Sequence, residues 1–374
     1  MQGRTGSSAA GAAVLRSWLA LEPAASQGLV LAVHPDDEMA RVDLQKTSAE
    51  RSAMFYMRTG WEACRVLENM LAAAGRSLGS TKRVLDFACG YGRVLRHMIR
   101  ERSTEPVYAS DIVRPAVDFV SRTFGVRGID SAADPGSVSL PGGLDLITVF
   151  SLFSHLPRKR FVEFLALLHG RLSDEGLLFF STHSPFAIDA AARDASGFTY
   201  QPQSGIPHLD TSEYGSTFVR PDVVEALCAE AGIGHVWHLE RELWRIQDVY
   251  VVAKKPAPSL DRWKHASICR GAILRADITP AGLAFVGGYV RTPATSGRVE
   301  SVEVVVDGGT SYPCRHAPHP LALPESEGGR HFTQTDWYVE GQAAGLSGGS
   351  HVVAALGSVD GDRSVFDVAQ LVPA

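Results

Sequence analysis

The run Leu85-Asp86-Phe87-Ala88-Cys89-Gly90-Tyr91-Gly92-Arg93-Val94-Leu95 carries the residue types best placed for chemistry. An apolar strand ends, two glycines make a turn, and a helical pattern begins. Glycines there let the backbone approach a ligand that a Cβ would hit. The third glycine of the dinucleotide fingerprint is absent, its place taken by Leu95. Asp86 ends the strand, where its charge would repel a pyrophosphate but suits a cofactor bearing an ammonium and a sulfonium. The next strand ends in Asp111-Ile112. Asp111 can accept hydrogen bonds from ribose hydroxyls, and Ile112 can lie against an adenine face. The plainer alternatives are a tight strand-to-helix turn for Gly90 and Gly92 and a helix N-cap for Asp111.

Two histidines are candidates for proton transfer. His155 follows the apolar run Leu144-Asp145-Leu146-Ile147-Thr148-Val149-Phe150, and His183 follows Leu177 to Thr182. Histidine is the commonest general base, yet it also caps and packs helices, so both readings of His155 stay open. Residues 184 to 219 break the strand-helix rhythm, which predicts a lid or substrate wall carrying Tyr200, His208, Asp210 and Tyr214. Cys89 reads as a small buried filler. Cys314, His316 and His319 lie among Pro313, Pro318 and Pro320, a pattern read as a rigid loop rather than a metal site. The acidic turn His34-Pro35-Asp36-Asp37-Glu38 reads as a solvated turn or helix start.

These residues need a scaffold. Strand-like runs at Arg83 to Ala88, Val107 to Ser110, Leu144 to Phe150 and Leu177 to Ser181 alternate with helical spacing. Helical repeats appear at Val94, Leu95, Met98 and Ile99, after Pro115, and from Phe161 to Leu172. Such alternation predicts a parallel sheet with helices on both faces. Past Lys254-Lys255-Pro256-Ala257-Pro258 the helical signal fades. Short β-branched runs such as Val302 to Val306, punctuated by Asp307-Gly308-Gly309, Ser347-Gly348-Gly349 and Asp360-Gly361-Asp362, predict an all-β sandwich. Trp337 and Tyr338 there are either core or a stacking surface.

Taken together, these motifs resemble the class I S-adenosylmethionine-dependent methyltransferases. Asp86, Gly90 and Gly92 match the first motif of that family, and Asp111 its ribose-binding acid. Leu144 to Phe150 matches the fourth motif, Ser154-His155-Leu156-Pro157 the segment after it, and Val249 to Ala253 the final antiparallel strand. The resemblance implies a Rossmann-like sheet, S-adenosyl-L-methionine as cofactor, and cofactor contacts from Asp86, Gly90, Gly92, Asp111, Ile112 and Phe150. Ser131 and Ala132 are the best match for the adenine position, although the usual acid-small pair is missing from that register.

The remaining composition narrows the class. The chain has 374 residues, 45% hydrophobic and 21% charged, a globular balance. A formal charge of -5 argues against general nucleic-acid binding. Five scattered cysteines without a CxxC pair exclude a disulfide framework. No apolar run reaches the roughly 18 residues of a membrane span, and Arg16 and Glu22 break any signal-peptide core. The expected organisation is a flexible N-terminal leader and small extension over 1–50, a methyltransferase domain over 51–255 and a β-sandwich accessory domain over 259–374. The expected function is a cytoplasmic methyltransferase acting at oxygen or nitrogen of a small-molecule or glycan-like acceptor. The rival readings are a scaffold that keeps the cofactor fold without catalysis, and a nicotinamide oxidoreductase, which Asp86 and Leu95 disfavour.

Overall fold

The computed structural model describes residues 9–41, 49–101, 106–202, 210–293, 297–322, 331–343, 346 and 350–371. The chain divides into two compact units: Val30–Pro35 with Thr59–Lys264, and Met1–Leu29 with Asp36–Arg58 and His265–Ala374.

The first unit is built on nine strands: β1 Val84–Phe87, β2 Val107–Asp111, β3 Arg127–Asp130, β4 Leu144–Val149, β5 Leu172–His183, β6 Phe198–Gln201, β7 Ser216–Val219, β8 His235–Leu243 and β9 Gln247–Ala253. The order β3-β2-β1-β4-β5 is parallel throughout; β9 then pairs antiparallel with β5 and carries β8 outside it. The central strands are buried on both faces, so every residue of β1 and β9 is buried, without the in-and-out alternation of a half-exposed strand. Helices α3 Arg114–Phe124, α4 Arg158–Arg171 and α5 Pro221–Glu230 supply covering layers. Helix α3 opens with Pro115 in its first turn and stops at Gly125, which adopts the left-handed conformation at φ 69°. Phe161, Phe164, Leu165 and Leu168 of α4 join Leu85, Phe87, Ile147, Leu178 and Phe180 in one apolar core.

Segment 30–35 is held to this unit by Arg96, whose side chain is fully buried. Its guanidinium donates to the carbonyls of Val30 and Ala32 at 2.9 Å each, and to that of Gly92 at 3.0 Å. His34 stacks on Tyr91, with ring centroids 4.6 Å apart.

The second unit contains two four-stranded antiparallel sheets. One has the order β10 Arg270–Thr279, β11 Gly282–Pro293, β15 His331–Ala343, β14 Arg315–Ala322. The other has β13 Thr310–Pro313, β12 Val299–Val306, β16 His351–Val359, β17 Asp362–Leu371. Val286, Val290, Trp337 and Val339 pack with Val304, Val306, Val353, Ala355 and Phe366 as a sandwich core. Trp337 is therefore core, while Tyr338 points to the opposite face of β15, as the period of two requires.

Three expectations need correction here. The proline-rich run expected as a rigid loop is strand β14. Among the described residues it is an edge strand, paired with β15 alone, and an edge tolerates the missing N–H groups. His316 and His319 then fall on opposite faces of it, because they are an odd number of residues apart, and no metal-binding group of three occurs among the described residues.

The N-terminal region is also more than a flexible leader. Helix α1 Ala9–Leu21 buries Val14 and Trp18 completely. The Glu22 carboxylate accepts the backbone N–H of Val365 in β17. Helix α2 Ala49–Ala73 brings Arg51 to the Asp367 carboxylate and Arg58 to the Phe366 carbonyl, also in β17. Residues 9–29 and 49–58 thus serve the β unit, and the compact units divide differently from the expected segments 1–50, 51–255 and 259–374.

The solvated-turn reading fails for Asp37 while the helix-start reading holds. Asp37 is 4% exposed, accepts the N–H of Met39 at 2.9 Å and takes the Tyr56 hydroxyl at 2.5 Å.

Candidate active site

Parallel order brings the carboxyl ends of β1, β2, β3, β4 and β5 to one edge of the sheet, where ligands gather in open α/β folds. Asp86 of β1 lies beside Thr148 of β4 in register, and the Thr148 hydroxyl donates to its Oδ1 at 2.9 Å. Asp86 is 2% exposed. Burial pushes its carboxyl pKa up to about 7, the Thr148 bond working against that and the nearby Asp111 charge adding to it.

The turn after β1 places Gly90 and Gly92 as expected, but for different reasons. Both have positive φ, +52° and +78°. A Cβ on Gly90 would point into open space, whereas one on Gly92 would come within 2.4 Å of the Phe124 ring. Gly90 therefore leaves the edge accessible, and Gly92 lets the turn pack onto α3. Cys89 is buried, which drives its thiol pKa well up and leaves it inert.

Asp111 ties the β1 and β2 turns together. Its Oδ2 accepts the Gly90 N–H and its Oδ1 the Val113 N–H, each at 2.8 Å. Burial raises its pKa, and these backbone donors oppose the shift. Each oxygen keeps a second lone pair for another donor. Ile112, the next residue, is 40% exposed, and the Ser131 N–H donates to the Asp111 carbonyl at 2.9 Å. Ser131 and Ala132, both half-buried, thus follow β3 beside the end of β2. Phe150 is buried and its ring packs on Phe179, 5.4 Å between centroids.

His155 and His183 come together, with ring centroids 5.6 Å apart. His155 Nδ1 lies 2.7 Å from the Gly215 carbonyl oxygen. A carbonyl has no proton to give, so Nδ1 carries the hydrogen and Nε2 of the neutral ring is the acceptor. Burial lowers the His155 pKa, with the Gly215 bond acting the other way. Burial and then the His155 charge push His183 down to about 4, against the carbonyls of Thr217 and Ser154. Burial thus favours the neutral form of both rings.

The insertion expected as a lid contains hairpin β6–β7, and β7 meets the end of β5 at His183 and Phe218. Tyr214 stacks on His155 at 4.7 Å and 16°. Tyr200 instead donates its hydroxyl to the Thr211 carbonyl, and Asp210 caps Ser212. His208 lies outside the described residues.

Several groups at this edge carried no local signal in the sequence. Ser151 has φ +67°, its N–H donates to the Ser181 hydroxyl, and Gln247 of β9 binds both serine side chains. Thr148 is equally silent until β4 is known to lie beside β1. Only the sheet order assembles these groups.

Residues 58–232 match the family model described as a methyltransferase domain. No curated protein matches the chain in sequence. Among solved structures, an S-adenosylmethionine-dependent methyltransferase from Clostridium acetobutylicum is similar at 13% identity, with a TM-score of 0.38, over 54% of this chain and 91% of its own. A Leishmania major S-adenosylmethionine-dependent methyltransferase is 15% identical, with a TM-score of 0.39, over 65% of this chain and 82% of its own. The CcbJ methyltransferase of Streptomyces caelestis is 15% identical, with a TM-score of 0.37, over 50% and 88%. The match to a methyltransferase domain thus spans residues 58–232, the segment that carries β1 to β7 and both histidines.

Proposed function

We propose that this domain methylates a hydroxyl group of a small molecule, saccharides included, with His155 as the base. One observation carries the reading: His155 Nδ1–H is committed to the Gly215 carbonyl, which leaves Nε2 as a proton acceptor, and burial favours the neutral ring. Nitrogen acceptors fit the same edge, but a neutral amine needs no base.

The residues present fit the cofactor. Asp86 is a buried carboxyl whose raised pKa an ammonium would relieve. Asp111 has lone pairs for ribose hydroxyls, Ile112 offers an exposed apolar surface for adenine, and Ser131 and Ala132 lie next to it. Gly90 leaves the approach open and Gly92 shapes the turn. When bound, S-adenosylmethionine supplies an electrophilic methyl group on sulfur. The protein's own work is positioning, since the acceptor must be held about 3–3.5 Å from the methyl carbon in line with the breaking bond. His155 takes the proton from the acceptor oxygen, and His183, beside it, orients that acceptor.

Incubation with S-adenosylmethionine and a panel of phenols, polyols, saccharides and amines, read as S-adenosylhomocysteine release, tests this. A hydroxyl acceptor whose turnover falls roughly 10²–10⁴-fold in His155→Ala is the expected result. Methylation of amines alone, or unchanged turnover in that variant, would defeat it.

A further inference from the structure

We propose that Tyr214 and the Gly215 carbonyl are positioning groups that strengthen His155 as a proton acceptor while the reaction proceeds. The inference rests on His155 being the base.

The insertion delivers both groups by backbone pairing to the segment after β4. The Gly215 N–H donates to the His155 carbonyl and the Thr217 N–H to the Ser154 carbonyl, both at 2.8 Å. The Thr217 hydroxyl reaches the Leu156 carbonyl at 2.5 Å. Glu213, one residue before Tyr214, is held by Arg160 of α4 at 2.6 Å. Position 215 has to be glycine here, because a Cβ would sit 2.3 Å from the Gln201 carbonyl oxygen and 2.8 Å from the Tyr200 ring. His155 is therefore gripped on one ring face by Tyr214 and at Nδ1 by Gly215.

Both contacts change strength with the charge on His155. Once Nε2 is protonated, the Nδ1–H to Gly215 bond becomes charge-assisted, which is about twice as strong as a neutral one. The imidazolium also gains a cation–π contact with Tyr214 that the neutral ring lacks. Interactions that strengthen during proton uptake lower the barrier rather than merely binding the ground state. The proton moves from the acceptor oxygen to Nε2 as that oxygen bonds the methyl carbon. The electron pair of the broken carbon–sulfur bond stays on sulfur. Among the described residues, the titratable and charged groups packed around His155 and Gly215 are His183 of β5, Tyr200 of β6, Tyr214, and Glu213 with its partner Arg160 of α4.

The test uses the full chain labelled with ¹⁵N-histidine, as wild type, Tyr214→Phe and Tyr214→Leu, with Tyr214→Met in reserve should the leucine variant not fold. Wild type and Tyr214→Phe should show a pyrrole-type Nδ1 and a pyridine-type Nε2 for His155. The leucine variant keeps bulk but loses the π face. Its His155 pKa should drop, and kcat should fall roughly 3–10-fold on the scale of a cation–π contact, with cofactor Kd unmoved. An unchanged His155 titration and tautomer in Tyr214→Leu would overturn the positioning role. A shifted titration with undiminished kcat would overturn His155 as the base, and this role with it.

Discussion

Thr148 and Asp86 face each other across neighbouring parallel strands, and the threonine hydroxyl is the donor that tempers a buried carboxyl. Burial holds the Asp86 carboxyl at about 7 in the folded protein, against an ordinary 3.8. The unfolded chain therefore loses this proton at a lower pH than the folded one. Without cofactor, Asp86 should subtract stability as pH rises from about 4 to 7, and no further above that. An ammonium favours the ionised form, so cofactor affinity should rise by up to about tenfold per pH unit below pH 7 and then level off. Calorimetric titration with S-adenosylmethionine between pH 5.5 and 8 measures this. Asp86→Asn should bind weakly with a flat profile; an equally steep profile there would assign the dependence to another group.

Asp111 is expected to act twice. Asp111→Ala should weaken cofactor binding by about 1–3 kcal/mol, the loss typical of hydrogen bonds to a charged group. It should also lower the melting temperature, because the Gly90 and Val113 N–H groups lose their acceptor. Binding calorimetry and thermal unfolding on the same sample separate the two effects. Unaltered affinity in a folded variant would remove Asp111 from the ribose site.

His183 should affect acceptor rather than cofactor. His183→Ala is expected to raise acceptor KM with cofactor Kd unchanged, since its ring faces His155 and Phe218. In the wild type, activity should fall as pH drops through a value below the ordinary histidine 6.5, because burial lowers the His155 pKa. A kcat acid limb at or above 6.5, measured with S-adenosylmethionine saturating at every pH so that Asp86 drops out, would contradict this assignment.

Much of the catalytic edge was legible because its signals are local. Asp86 lies in β1 with Gly90 and Gly92 in the turn after it, and strand-helix alternation predicts the parallel order that brings Asp111 to that turn and sets His155 and His183 after β4 and at the end of β5. What the sequence left unread depends on pairing between distant segments. Ser151, Ser181 and Gln247 look ordinary until β5 lies between β4 and β9. The prolines of β14 suggest a loop unless the strand is known to be an edge. Nothing near Glu22 names Val365 as its partner.

A chain truncated after Lys264 should consequently behave badly at its N-terminus. Trp18 and Val14 lose the sheet they are buried with, and Glu22, Arg51 and Arg58 lose their β17 acceptors and donors. Limited proteolysis should cut within residues 9–58 of that fragment while sparing 84–253. Full protection of 9–58 would show that the helices hold without the sandwich.

Glu22 and Val365 are separated by 343 positions. At about 5–20 residues per second of synthesis, the segment around Trp18 waits roughly 17–70 s on the ribosome before β17 emerges. The whole α/β sheet is made in that interval and can close first. During it, an indole destined for complete burial stays accessible to chaperones and proteases. Slower translation is therefore expected to lower the yield of folded protein by lengthening the exposure of helix α1.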